Sequence, residues 1–133
     1  PYRLEMGTKL DNPKGKNLYQ FWGDIITEKL NEIVATFKEK VLVNLASNEY
    51  AKSINISKFQ GRIITPVFKD YKNGVYKVIG LHAKRARGLM ARHIIKNQIT
   101  DLQQLTEFNA SGYLFSAPDS NDTEFIFYRD SQL

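Results

Sequence analysis

Apolar residues recur at helical spacing in two long segments of the chain. In the first, every third or fourth position from Leu18 to Phe37 is apolar. Asn17 and Gln20 stand three residues apart just before this run, as in a capping box that opens a helix. In the second, five positions share one helical sector, namely Ala86, Leu89, Met90, His93 and Ile94. The spacing predicts helices over about 17–36 and 83–97, each burying one stripe.

Shorter segments have the composition of strands. "VLVNL" (41–45) reads as a buried strand, and "EFIFYR" reads as the last strand of the chain. Between them, "IITPVFKDY" and "VYKVIGL" flank Asn73-Gly74, which predicts a β-hairpin over 62–82 with Pro66 at an edge or a bulge. Short helices are expected at 47–54 and 101–106. Interspersed helices and strands with an antiparallel hairpin predict an α/β fold, a mixed β-sheet with flanking helices.

Composition narrows the class of protein. A chain of 133 residues, 42% apolar and 25% charged, is typical of a single globular domain or subdomain, which we assign to 1–133. The absence of cysteine excludes disulfides and thiolate metal sites. No apolar run reaches the ~20 residues that a bilayer requires, so we expect no membrane partner.

Positive charge is concentrated in one segment. The net charge is +5, yet no carboxylate occurs between Asp70 and Asp101. This stretch carries seven cations, which are Lys72, Lys77, Lys84, Arg85, Arg87, Arg92 and Lys96. Such a local field favours contact with the phosphates of a nucleic acid. A solvated face, or pairing with carboxylates elsewhere in the fold, is an equally open interpretation of the pattern.

A glycine interrupts the predicted basic helix. Gly88 costs ~1 kcal/mol relative to alanine in a helix interior. A close helix contact or a ligand approaching the backbone would explain it, and we expect ordinary packing to be the reason.

Polar residues in three segments form a possible pocket, comprising Tyr2, Arg3, Glu5, Asp24, Ser47, Glu49 and Tyr50. Ser47 to Tyr50 follow a predicted strand and open a helix, where anions often bind, although Ser47 is equally suited to simple helix capping. Arg3 with Glu5 is also consistent with a structural ion pair. His82 and His93 lack the spacing of metal ligands, so we expect no metal site and no cofactor. His93 is expected to be a hydrogen-bonded core residue.

Several long sequence segments, occurring in a fixed order, carry a family resemblance. They are "PYRLEMG", "LYQFWGDIITEKLNE", "VLVNLASNEY", "PVFKDYKNGVYKVIGLHAKRARGLMARHIIKN" and "FNASGYLF". The chain resembles the C-terminal half of the YaaA family, the peroxide-stress resistance proteins of bacteria. The resemblance implies a cytoplasmic protein of the oxidative-stress response that limits free intracellular iron and binds double-stranded DNA. It also implies a YaaA-type fold with a positively charged cleft, completed by an N-terminal half that is absent here.

Two functional hypotheses follow, and they differ in class. The first is DNA binding through the seven cations. The second is an enzyme that acts on a nucleotide or other anionic small molecule, in a cleft lined by Arg3, Glu5, Asp24, Glu49, Lys84 and Arg87. A third possibility is that the basic segment binds the N-terminal half of the same protein.

Overall fold

The described part of the chain, residues 6–130 of a computed structural model, forms two compact units. The first comprises the described residues up to Leu42 together with Ala46–Arg62, and the second comprises Val43–Leu45 together with the described residues from Ile63 onward. Tyr2, Arg3 and Glu5 lie outside the described residues.

The first unit is helical, and its long predicted helix is divided. Helix α1 (Leu18–Trp22) begins where the Asn17 side chain accepts a hydrogen bond from the Gln20 amide, as the capping pattern predicts. Gly23 then adopts a positive φ of 52°, which ends α1, and α2 (Ile25–Val34) begins two residues later. The prediction of one continuous helix was therefore wrong, because a glycine in the apolar pattern provides a stop. Helix α3 (Asn48–Ala51) is a single turn.

The stripe predicted to be buried on this helix is only partly buried. Thr27 and Val34 of α2 are buried, but Trp22, one of the apolar positions of the predicted stripe, is 39% exposed. Ile33 and Phe37 are about half exposed.

A mixed sheet lies mainly in the second unit. Its strands are β1 (Val41–Val43), β2 (Arg62–Lys72), β3 (Val75–Lys77), β4 (Leu114–Phe115) and β5 (Glu124–Arg129). The order is β1-β2-β5-β4, and β3 pairs with β2. Strands β2 and β5 are parallel, whereas β3 and β4 are antiparallel to their neighbours. The predicted α/β class with a mixed sheet and flanking helices is confirmed.

The hairpin turns at the predicted residues but is shorter than predicted. Asn73 and Gly74 both have positive φ, 53° and 84°, as a tight hairpin turn requires. All three residues of β3 are exposed, so this strand has no buried face to extend. Helix α4 (Gly80–Lys96) begins three residues earlier than expected, and the Ala83 amide already donates to the Ile79 carbonyl.

Pro66 lies inside β2, in register with Phe125 of β5. Its neighbour Ile64 accepts a hydrogen bond from the Asn44 amide on the β1 side of the strand. Alternate residues of a strand direct their backbone groups to the same side, so the nitrogen of Pro66 faces the β1 side, where β1 has already ended at Val43. Proline is therefore tolerated at a position that is locally an edge.

Aromatic rings form the core of the second unit. Phe68 lies 5.3 Å from both Tyr113 and Phe127, and 5.8 Å from Phe108, measured between ring centroids. Helix α5 (Leu102–Leu105) and a 3-10 turn (Ala110–Gly112) lead into this cluster. None of the described helices is both long and apolar enough to cross a bilayer.

Candidate nucleic-acid interface

Helix α4 has a buried face and an outer face. Ala83, Ala86 and Met90 are each at most 2% exposed and belong to the core. On the opposite side lies a surface that we call the outer face of α4, consisting of Leu81, Lys84, Arg85, Gly88, Arg92, Ile95 and Lys96. All seven of these residues are exposed. The helical pattern thus places the core residues on one side of α4 and these cations at the surface, as the sequence predicts.

Six of the seven predicted cations are exposed, and Arg87 is half-buried on the flank of α4. All seven belong to the second unit. Within residues 6–130 none of them forms an ion pair with a carboxylate. The interpretation in which these cations are held by the protein's own acids is therefore not supported by the described part of the chain.

The acidic residue closest to the basic segment in sequence is already engaged. Asp70, in β2, is the last acidic residue before the basic segment, and Lys77 of β3 is its register partner. Its carboxylate accepts from Arg129 Nε at 2.5 Å and from the Tyr113 hydroxyl at 2.7 Å. Asp70 is 6% exposed and faces the interior, so its charge is used there and not at the hairpin surface.

Asp70, Tyr113 and Arg129 form a cluster that we did not predict. The Arg129 guanidinium lies 4.4 Å from the centre of the Tyr113 ring, above its face. Burial, and then the hydrogen bond to Asp70, raise the pKa of the Tyr113 hydroxyl far above its ordinary value, while Arg129 and Arg85 act in the opposite sense. Arg85 of α4 is therefore close enough to this cluster to influence it.

The cluster lies where two neighbouring parallel strands end, since Asp70 and Arg129 are register partners near the ends of β2 and β5. Beside it is an open cleft of about 690 Å³ lined in part by Tyr76, Tyr128, Arg129 and Asp130. Tyr76 donates a hydrogen bond to Asp130, and this bond is the main reason that the pKa of Tyr76 is raised. A sequence signal existed, because Asp70 lies next to the end of one predicted strand and Arg129 ends another, but their pairing depends on strand order.

The possible pocket is described only in part. Asp24 pairs with Lys58 at 2.6 Å, and this bond, followed by one from Asn55, holds the pKa of Asp24 below its ordinary value. Asp24 also lines an open hollow of about 550 Å³ within the first unit. Among the described residues, the ion-pair partner of Asp24 is thus Lys58.

The other pocket candidates have local roles. Glu49 accepts from the Met6 amide at 2.9 Å, and its backbone carbonyl accepts from the Tyr19 hydroxyl at 2.6 Å. Ser47 precedes α3 without a side-chain capping bond, and the Tyr50 carbonyl accepts from the Ser53 hydroxyl. The predicted small-molecule cleft takes Asp24 and Glu49 from one unit and Lys84 and Arg87 from the other. It stays a prediction.

His93 of α4 and the candidate metal ligands add little to the description of the site. His93 is half-buried, its Nδ1 lies 3.1 Å from the Asn97 amide, and its ring packs on Phe108. Its Nε2 is buried without a hydrogen-bond partner among the described residues, so the prediction of a hydrogen-bonded core histidine holds at Nδ1 only. No three His, Asp or Glu side chains between residues 6 and 130 are grouped so that they could hold a metal ion.

Comparison with known proteins identifies the family. The family model described as "Peroxide stress protein YaaA" matches residues 1–119. A UPF0246 protein of Psychromonas ingrahamii is 58% identical over 129 residues, covering 97% of this chain and 50% of that protein. A UPF0246 protein of Shewanella sp. strain W3-18-1 is 55% identical over 132 residues, covering 99% of this chain and 51% of that protein. The chain thus spans about half the length of these curated relatives. It belongs to the YaaA family of peroxide stress proteins.

Proposed function

We propose that this chain binds the phosphate backbone of double-stranded DNA through the outer face of α4. One observation carries the proposal: Lys84, Arg85, Arg92 and Lys96 are exposed on one side of a helix and have no carboxylate partner within residues 6–130. Lys72 and Lys77 extend the same charge to the hairpin of β2 and β3.

The chemistry of this surface favours backbone contact over base recognition. Lysine and arginine that neutralise phosphates release condensed counterions, which gives affinity without sequence preference. Arg85 and Arg92 are separated by about 10.5 Å along the helix axis, at ~1.5 Å per residue, so each can reach a different phosphate or share one between them. The outer face carries neither Asn nor Gln nor an acid, the side chains that read adenine or cytosine edges.

Family membership supports part of the wider role that we propose. We propose that the protein acts in the cytoplasm during peroxide stress and that it contributes to limiting free intracellular iron. The family to which the chain belongs supports the stress role, whereas the iron and compartment proposals rest on the resemblance alone.

A DNA titration tests the binding proposal. Arg85→Glu and Arg92→Glu, made together, should weaken binding of a 20-base-pair duplex at least tenfold in 50 mM salt, because two favourable contacts become repulsive. Lys38→Glu is a control that changes charge on an exposed residue of the first unit. It should change the affinity by less than about threefold. Equal losses of affinity in the arginine variant and in Lys38→Glu would mean that only the net charge of the protein matters, and would contradict a specific contact at α4. No loss of affinity in the arginine variant would contradict the proposal as well.

A second partner is favoured by a separate observation. Leu81 and Ile95, at the two ends of the outer face, are each 77% exposed. Apolar side chains so placed are suited to contact with protein, and we propose that the remaining half of the full-length protein contacts these two ends of α4, outside the segment from Arg85 to Arg92 that contacts DNA. In hydrogen exchange, backbone amides of α4 would then be better protected in the full-length protein than in this chain alone. Equal protection would contradict this contact.

A further inference from the structure

Gly88 lies near the middle of α4, a helix of 17 residues, and faces outward. Apart from proline, glycine is the residue least suited to a helix interior, so its presence on an exposed face requires a reason. Surface positions of this kind are normally filled by strong helix formers, because no packing constraint competes with helix propensity.

The described part of the molecule gives no internal reason for this glycine. Its backbone is not among those with positive φ, and a Cβ added there would meet no atom within 4 Å beyond the adjacent residues and the backbone of its own helix. Gly61 is different, since a Cβ there would come within 2.7 Å of the Lys40 carbonyl oxygen. The close packing that the sequence led us to expect around Gly88 is therefore not observed between residues 6 and 130.

The surroundings of Gly88 are cationic. Arg85 precedes it by about 4.5 Å along the helix axis and Arg92 follows by about 6 Å, at ~1.5 Å of rise per residue. Both arginines share the outer face with Gly88, and Lys84, also on this face, lies one turn before it. A position without a side chain between two long cationic ones is a notch whose floor is the helix backbone.

We propose that this notch, formed by Gly88 between Arg85 and Arg92, seats one phosphodiester group of the DNA backbone. The inference rests on the DNA binding proposed above and adds the place and manner of contact. The phosphate lies against the Cα of Gly88 and accepts hydrogen bonds from a guanidinium on either side. Arginine suits this role because its planar fork binds two oxygens of one phosphate.

The notch is too cationic for the alternative, an apolar protein helix crossing at the glycine. Such a helix would bring no compensating charge to Arg85, Arg92 and Lys84, and it would cost part of their hydration. A phosphodiester carries one negative charge and needs close approach to reach two guanidinium groups together. A side chain at position 88 would hold the phosphate away from both.

Substitutions at Gly88 separate this role from a structural one. Gly88→Ala should raise the thermal midpoint by about 3 °C, because alanine is the better helix former. The same change should weaken duplex DNA binding about threefold, and Gly88→Leu at least tenfold, although neither removes a charge. Gly80→Ala is the matched control, since Gly80 is an exposed glycine of the same helix with nothing within 4 Å of an added Cβ. It should leave binding unchanged.

The measurements are thermal unfolding by circular dichroism and DNA titrations over a range of salt, on the protein at its full cellular length. The slope of log K against log [salt] should fall by about 1 for Gly88→Leu, as for loss of one phosphate contact. Wild-type binding by Gly88→Leu, with weakened binding by Arg85→Glu/Arg92→Glu, would overturn the notch and leave the proposed function standing. Wild-type binding by both Gly88→Leu and Arg85→Glu/Arg92→Glu would overturn the notch and the proposed function together.

Two further outcomes also decide the matter. If Gly88→Leu fails to fold, the alanine variant alone gives the answer, since its helix is expected to be more stable than wild type. If Gly88→Leu changes sedimentation of the protein without changing DNA affinity, the notch holds protein and the proposal is wrong.

Discussion

Replacing Arg129 by methionine should be among the most destabilising single changes in the second unit. The guanidinium Nε donates to Asp70 at 2.5 Å, and the two side chains are only 19% and 9% exposed. Methionine keeps most of the volume but leaves a buried carboxylate with the Tyr113 hydroxyl as its remaining partner. Removing one member of a buried pair costs about 3–5 kcal/mol, a large part of the ~5–15 kcal/mol by which domains are stable.

A second substitution should restore stability rather than lower it further. In Asp70→Asn/Arg129→Met no charge is left in the interior, and asparagine can still accept from the Tyr113 hydroxyl. We expect this double variant to be at least ~2 kcal/mol more stable than Arg129→Met alone, because the penalty lies in the unpaired charge. The assay is urea unfolding followed by far-UV circular dichroism, with the free energy of unfolding extrapolated to water.

An exposed pair provides the matched control. Lys58 and Asp24 approach to 2.6 Å, but their side chains are 60% and 39% exposed. Water solvates the carboxylate when its partner is lost, so Asp24→Asn should give no rescue of Lys58→Met. The reasoning from burial would be refuted by rescue at the exposed pair, by no rescue at the buried one, or by a small effect of Arg129→Met.

Three further changes follow from local geometry. His93→Leu should raise the free energy of unfolding by about 1 kcal/mol, because it removes a buried Nε2 that lacks a partner, and a clear loss in urea unfolding would contradict this. Gln98 has a φ of 48° just after α4, where its amide and the next one close the helix on the carbonyls of residues 95 and 94. Gln98→Gly should therefore stabilise by ~0.5–1 kcal/mol in the same assay, and unchanged stability would argue against strain at this residue. Because the pKa of Tyr113 is raised, the native state retains a proton that the unfolded state loses above pH ~10, so this group lowers stability as pH rises beyond that point. Tyr113→Phe should flatten the fall in stability between pH 10 and 11, and an unchanged slope would rule out this contribution.

Local patterns predicted the elements whose causes are local. The final strand occupies the six residues expected, and the hairpin turns at Asn73-Gly74, where only residues that accept positive φ fit. The basic helix without acidic residues was predicted equally well, since both its charges and its helical period are properties of residues that are close in sequence. Its exposure is as predicted because Ala83, Ala86 and Met90 fix which side of α4 is buried.

Errors arose where two local signals competed. Gly23 lies inside an apolar helical pattern, and the pattern suggested continuity, yet the glycine ends α1. The β-forming residues after Tyr76 suggested a longer strand, but an exposed strand gains little from extension, and helix α4 begins at Gly80 instead. In both places the error is one of boundaries, and the type of the neighbouring element is as predicted.

The pairing of Asp70 with Arg129 could not be predicted, because 59 residues separate them and the contact exists only once β5 lies parallel to β2. This pairing nevertheless bears on the surface that was predicted. Asp70 is the register partner of Lys77, so an unpaired carboxylate at its position would reduce the positive potential at the hairpin. Arg129 and Tyr113 engage that carboxylate in the interior, and Lys77 is exposed and forms no ion pair with a carboxylate in the described structure. The positive surface thus depends on a buried ion pair as well as on the run of cations. The charges along the sequence therefore predict the surface, but they do not predict the residues that neutralise Asp70 and so keep the surface positive.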